Sequence, residues 1–363
     1  MARRAYLHIG APKAGSTYAQ HVLWNNRNAL KGAGILLPGD RSAHDQAMTD
    51  LREVSWRDPR ATWTWDRLAA KSREWHGDVI ISNEGLGGAT AAQAARAVAS
   101  LRPAEVHIVV AGRDLWRTLP SVWQQGIRSR NIGRFEDWLR TVERGKFETL
   151  WENHTPNRML RRWGDLVSAE QRHLVTLPPP GAPHDVFWHR FAGVVGIPDG
   201  LCDLTAPAAN ASLGAAEIEV LRRVNQALGD RYPHRTPYQE VVKRHLITAV
   251  LQRGGNTVRF GVGLDRADWV AELAEQQIKD LRDYPCHIAG DLDDLRPSGM
   301  SSTVAPDDLT DAQVLEVAIE TIIGLLGQAD RLSRRTDASG LARLRGRATR
   351  KIGGALRRIT RDR

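Results

Sequence analysis

The chain has 363 residues, 42% of them hydrophobic and 26% charged, the balance of a folded globular protein rather than a disordered or fibrous one. Its net charge of +9 favours anionic partners (nucleotides, acidic glycans, nucleic acid or anionic membranes) without choosing among them. Cys202 and Cys286 lie far apart and lack metal-site spacing, which supports neither a disulfide framework nor a zinc site. No apolar run approaches the roughly 20 residues that span a bilayer, and the apolar piece Tyr6–Gly10 is too short for a signal-peptide core. A cytoplasmic protein is expected.

In chain order, residues 5–9 read as a short buried strand, 10–16 as a loop of small residues, and Thr17–Asn28 as a helix. Gly32, Gly34, Pro38 and Gly39 then break the chain. Trp56–Trp75 has a helical pattern and carries Trp56, Trp63, Trp65 and Trp75, most of them expected in the core, although aromatic faces also suit an acceptor cleft. Asp78–Ser82 is a second strand, Thr90–Leu101 an alanine-rich helix, and Glu105–Ala111 a third, very apolar strand followed by a helix from Trp116 through Arg128. Residues 135–165 are mostly helical, His173–Leu177 is a fourth strand, and Phe187–Val195 another helix. Residues 214–229, 238–252 and 265–283 are amphipathic helices, and 311–332 is a helix with Val314, Val317, Ile322, Leu325 and Leu326 on an apolar stripe. Short apolar strands alternating with helices predict an α/β fold: a P-loop-like parallel β-sheet flanked by helices, with additional C-terminal helices. The expected organisation is an α/β domain over 1–300, a helix over 301–332 packing on it, and a basic tail over 333–363.

The segment Gly10-Ala-Pro-Lys-Ala-Gly-Ser-Thr17 joins the first strand to the first helix. Free amides at a helix start and the helix dipole favour anions there, Gly15 permits close backbone approach, and Lys13 adds a mobile positive charge. Gly10 and Gly15 have the separation of a nucleoside-triphosphate loop, but the lysine precedes the second glycine instead of following it. Pro12-Lys13-Ala14-Gly15-Ser16-Thr17-Tyr18 resembles instead the 5′-phosphosulfate loop of sulfotransferases that use 3′-phosphoadenosine 5′-phosphosulfate (PAPS), with Ala14 in place of the usual hydroxyl residue.

Arg113, directly after the third strand, and Ser121, eight residues on, stand at the spacing that holds the donor's 3′-phosphate in that family. A guanidinium grips phosphate bidentately and a hydroxyl adds one bond. Over about residues 5–200 the resemblance implies a bacterial PAPS-dependent sulfotransferase with 3′-phosphoadenosine 5′-phosphate (PAP) as product and no metal expected. Glu84, after the second strand, occupies a position comparable to the catalytic base of the carbohydrate-modifying branch. His44, in the loop after the first helix, is a rival base. His107, inside an apolar strand, reads as a satisfied core histidine. Arg128 and Arg130 suit a phosphate, an acidic acceptor or a solvated helix end. Asn210-Ala-Ser-Leu213 is reminiscent of bacterial members or is an N-cap.

The expected acceptor is a small molecule, glycan or lipid; nucleic acid is not expected. The segment Arg331–Arg363 is strongly basic, with Leu341, Leu344, Ala348, Ile352, Leu356 and Ile359 at helical spacing. It suits peripheral contact with an anionic membrane or a frayed soluble end. The rival functions are an ATP-dependent P-loop small-molecule kinase and a non-enzymatic nucleic-acid or membrane-binding protein.

Overall fold

The structure is a computed structural model describing residues 1–205, 212–253 and 258–334. Six parallel strands form one sheet in the order β2-β3-β1-β4-β5-β6. They are β1 (Arg4–Gly10), β2 (Ile35–Leu36), β3 (Asp78–Ser82), β4 (Glu105–Gly112), β5 (Arg172–Thr176) and β6 (His287–Ala289). The three central strands are buried almost end to end, as expected for a sheet with helices over both faces. The α/β class and the parallel sheet flanked by helices therefore stand. The chain runs from β1 to β2 and β3 on one side, then crosses to β4, β5 and β6 on the other. Ligands of open parallel sheets bind at such a switch, beyond the carboxyl ends of the strands.

The helices are α1 (Ser16–Asn25), α2 (Arg27–Gly32), α3 (Arg41–Leu51), α4 (Trp65–Arg73), α5 (Ala91–Leu101), α6 (Leu115–Arg128), α7 (Phe135–Glu143), α8 (Glu148–His154), α9 (Pro156–Gly164), α10 (Val186–Val195), α11 (Ala215–Leu228), α12 (Arg235–Tyr238), α13 (Ala267–Arg282) and α14 (Asp311–Arg334). A π-helical run, Gln239–Thr248, continues α12. The helix expected over 56–75 is shorter: α4 begins at Trp65, where the Thr64 hydroxyl accepts from the Arg67 amide at 3.2 Å. Trp65 is fully buried, whereas Trp56 is exposed. The stretch around His44, expected as loop, belongs to the helix α3, started by Asp40, whose carboxylate accepts from the Ala43 amide at 2.8 Å.

The described residues fall into two compact units, 1–205 with 259–308, and 212–253 with 258 and 309–334. The first contains the sheet. In the second, Gly324 of α14 comes so close to Val250 that a Cβ there would meet Cγ1 at 2.5 Å. Val314 is buried, but Ile322 and Leu326 of the expected stripe are exposed, together with Leu315, Ile319 and Ile323. By length and composition alone α14 is long and apolar enough to cross a membrane, with a mean hydropathy of 1.3 over its most apolar stretch. Residues 210 and 211 of the expected cap, and residues 335–363 of the basic tail, lie outside the described residues.

Candidate active site

The loop after β1 has a run of positive-φ residues. Gly10 has φ +127°, Gly15 +87°, and Lys13 itself +68°, a left-handed conformation uncommon for a side chain other than glycine. A register shift between β1 and β4 at His8–Gly10 turns the strand end into the loop, and the Ala11 amide donates to the Ala111 carbonyl at 2.9 Å. A Cβ on Gly15 would lie 2.8 Å from Phe187 Cε1, so the residue must be glycine for space as well as for φ. No side chain caps the first turn of α1. Its leading amides are therefore donors suited to an anion. Pro12, Lys13 and Tyr18 are half-buried, Ala14 and Ser16 are buried, and Thr17 is exposed. The buried Tyr18 hydroxyl has no hydrogen-bond partner, and burial raises its pKa.

Arg113 leaves the end of β4, and Asp114 behind it caps α6 by accepting from the Arg117 amide at 2.9 Å. The Arg113 guanidinium turns back to the loop. Its Nη1 donates to the Lys13 carbonyl at 2.9 Å and to Ser121 Oγ at 3.3 Å. Its Nε is a buried donor with no partner. Burial, reinforced by the charge of Arg117, pushes the guanidinium down to about 10, and it remains a cation at neutral pH. Lys13, Arg113 and Ser121 are thus one hydrogen-bonded cluster. Uncapped amides, the Lys13 ammonium and an unsatisfied guanidinium donor suit a ligand with two anionic groups.

Glu84 begins the turn Glu84–Gly88 after β3 and faces α1, accepting from Gln20 Nε2 at 2.6 Å. It is half-buried. Asn83 Oδ1 accepts from the Gly85 amide at 2.8 Å, and Asn83 Nδ2 donates to Asp45 Oδ1 at 2.6 Å. Arg52 Nη1 holds the Gly85 carbonyl at 2.9 Å, while Arg162 donates to the Gly87 carbonyl and pairs with Glu152. Both arginines are lowered by burial. Withdrawal from water, then the charge of Glu84, raises the Asp45 carboxyl against the opposing bond from Asn83. Gln20, Asp45, Arg52 and Arg162 were not singled out from sequence. Only a polar residue on the buried face of a helix, as Gln20 is, offered a signal there.

His44 belongs to the scaffold. It is 2% exposed on α3 and packs edge-on against Trp24 at 4.9 Å. Its Nδ1 accepts from the Ser82 amide at 3.2 Å and its Nε2 lies 3.0 Å from the Pro38 carbonyl. Burial pushes it down to about 4, so at neutral pH one ring nitrogen donates and the other accepts, and both are used. The expectation of His44 as a base rested on its lying in an open loop; the enclosed ring presents neither nitrogen to an acceptor. His107 is buried on the sheet, bonded through Nδ1 to His173 Nε2 at 2.9 Å.

The sequence matches no protein-family model and no curated protein. Among solved structures, a sulfotransferase from Alicyclobacillus acidocaldarius is similar over 65% of this chain and 97% of its own, at 17% identity and a TM-score of 0.39.

Proposed function

We propose that the protein is a PAPS-dependent sulfotransferase, moving a sulfuryl group to a hydroxyl or amine of an acceptor by in-line displacement. The observation that carries this reading is the Arg113 guanidinium, which spans the Lys13 carbonyl and the Ser121 hydroxyl and keeps one buried donor unsatisfied. A guanidinium linking the loop to Ser121 supports a donor phosphorylated at both its 3′ and 5′ positions. The loop Pro12–Thr17 would hold the 5′-phosphosulfate, with Tyr18 beside it, and Arg113 with Ser121 the 3′-phosphate.

The acceptor oxygen bonds to sulfur as the bond from sulfur to the bridging phosphate oxygen breaks. The electron pair leaves on the nucleotide phosphate, where Lys13 offsets the growing charge. Glu84, supported by Gln20, takes the acceptor proton. Positioning and electrostatics supply the acceleration.

Calorimetric titration with PAP tests the reading. Wild type binds PAP and discriminates against ATP. Removing one charge-assisted contact costs about 1.5–3 kcal/mol, so Lys13→Ala and Arg113→Ala each weaken PAP roughly ten- to a hundredfold. A wild type that does not bind PAP overturns the reading, and equal binding of ATP favours a kinase.

A further inference from the structure

One face of α14 is packed and the opposite face is exposed. Val314 and Thr321 are buried, and Gly324 sits against Val250. Asp311 accepts from Arg223 Nη1 of α11 at 2.8 Å, which ties the start of the helix to its own unit. Leu315, Ile319, Ile322, Ile323 and Leu326, by contrast, are between 49% and 66% exposed. At helical spacing these side chains share an arc of about 100° over about three turns, turned away from the packed face. The strip itself carries no charge: Glu316 and Glu320 lie along one edge, and Asp330 beyond it pairs with Arg334 at 3.0 Å. After α14 the chain changes character. Residues 331–363 hold twelve Arg and Lys against two Asp, a net +10, whereas the whole chain carries +9, so residues 1–330 together come to −1.

We propose that α14 and the basic segment that follows it dock the protein on an anionic lipid bilayer, with α14 lying along the headgroup boundary and not across it. A spanning helix is apolar all round, whereas α14 keeps one face against its own unit and offers the bilayer only the other. Its exposed strip has the form of an interfacial helix. Stable attachment takes two signals, an apolar insertion and a polybasic patch, and this chain places them end to end. The charge decides between occupants. A second copy of the chain would cover the strip but leave the +10 segments without a counter-charge, because the rest of the molecule is nearly neutral. Nucleic acid would answer the charge and leave the aliphatic side chains in water. An anionic bilayer answers both: its headgroups neutralise the arginines within a Debye length of the surface, and the acyl boundary takes up the strip. Docking of this kind needs nothing from the donor site, so it holds or fails separately from the donor reading.

The test is co-sedimentation of the full chain with vesicles of phosphatidylcholine alone or mixed with phosphatidylglycerol. The mixed vesicles are expected to bind at least about tenfold more tightly, a difference that added salt closes. Ile322→Ser with Leu326→Ser, both exposed, weakens binding to the mixed vesicles about tenfold or more while thermal stability is kept. Arg350→Gln, Lys351→Gln, Arg357→Gln and Arg358→Gln together, which leave every described residue intact, weaken it roughly a hundredfold. Equal binding to the two vesicles, or none, overturns the proposal, as does full binding by the α14 double variant. A dimer in light scattering that the same double variant dissociates gives the strip to a second copy. Tighter binding to a DNA duplex than to mixed vesicles at equal phosphate gives the charge to nucleic acid. Either outcome overturns the proposal. PAP affinity stays within about twofold of wild type in both variants. Failure of wild type to bind PAP overturns the donor reading and leaves membrane docking standing.

Discussion

Three residues show how a side chain's meaning depends on its enclosure. His8 and His44 are buried, and both are pushed down to about 4 by burial, against about 6.5 in an unfolded chain. The unfolded state therefore binds more protons between those values. Stability from each neutral ring is fully present above about pH 6.5 and is lost as pH falls toward 4. For His44 the loss between pH 7.5 and 5 is about 2 kcal/mol. Urea unfolding of His44→Gln at the two pH values is expected to show a pH sensitivity smaller by about that amount; an unchanged sensitivity would place the titrating groups elsewhere. Gly15 is the other case. Alanine there meets Phe187 at 2.8 Å and carries the cost of φ +87°, about 1 kcal/mol or more. Gly15→Ala is expected to weaken PAP at least about tenfold. Adding Phe187→Leu restores part of that loss, because it relieves the contact but not the dihedral.

At the scale of elements, the turn Glu84–Gly88 depends on its neighbours for position. Arg52 of the α3 C-terminus and Arg162 of α9 hold its carbonyls from two sides. Arg52→Met keeps the aliphatic stem and removes the bond to Gly85. Glu84 is then held less firmly, and kcat is expected to fall about tenfold, while PAP affinity, set across the loop, stays unchanged. A parallel fall in PAP affinity would show that the whole sheet edge had moved. The element that anchors Arg52 and His44 was not legible in advance. The buried face of α3 is Ala43, His44, Ala47 and Leu51, too small and too polar to read as an apolar stripe. The start of α4 was legible in principle, because Thr64 is an N-cap residue directly before Trp65 and Pro59 precedes it. Helical spacing of the tryptophans competes with that signal, and Trp56, which lies before the helix, is exposed.

At the scale of the molecule, the central strands and the helices after them followed from local pattern. Runs such as Val79–Ser82 and Val106–Gly112 are buried on both faces, which only a covered parallel sheet permits. The edge strands β2 and β6, of two and three residues, carry too little pattern to be read. The second unit joins 212–253 to 309–334 across an intervening segment of the first, an adjacency without a local signature. Helix α14 was expected to be one, but the direction of its apolar residues depends on what packs there, and Leu315, Ile319 and Ile322 face outward.

The sequence by itself determined the loop and its glycines, the placement of Arg113 and Ser121 on a strand end and the helix after it, and the position of Glu84 after its strand. These features are set within ten residues by dihedral preference and helical or strand period. Only the tertiary structure decided that Arg113 grips the Lys13 carbonyl, that Glu84 meets Gln20, that His44 is buried against Ser82, and that Lys13 reaches Gln125 of α6. Those contacts join residues 100, 64, 38 and 112 positions apart. Local periodicity is silent at such separations; strand order and helix packing bring the groups together.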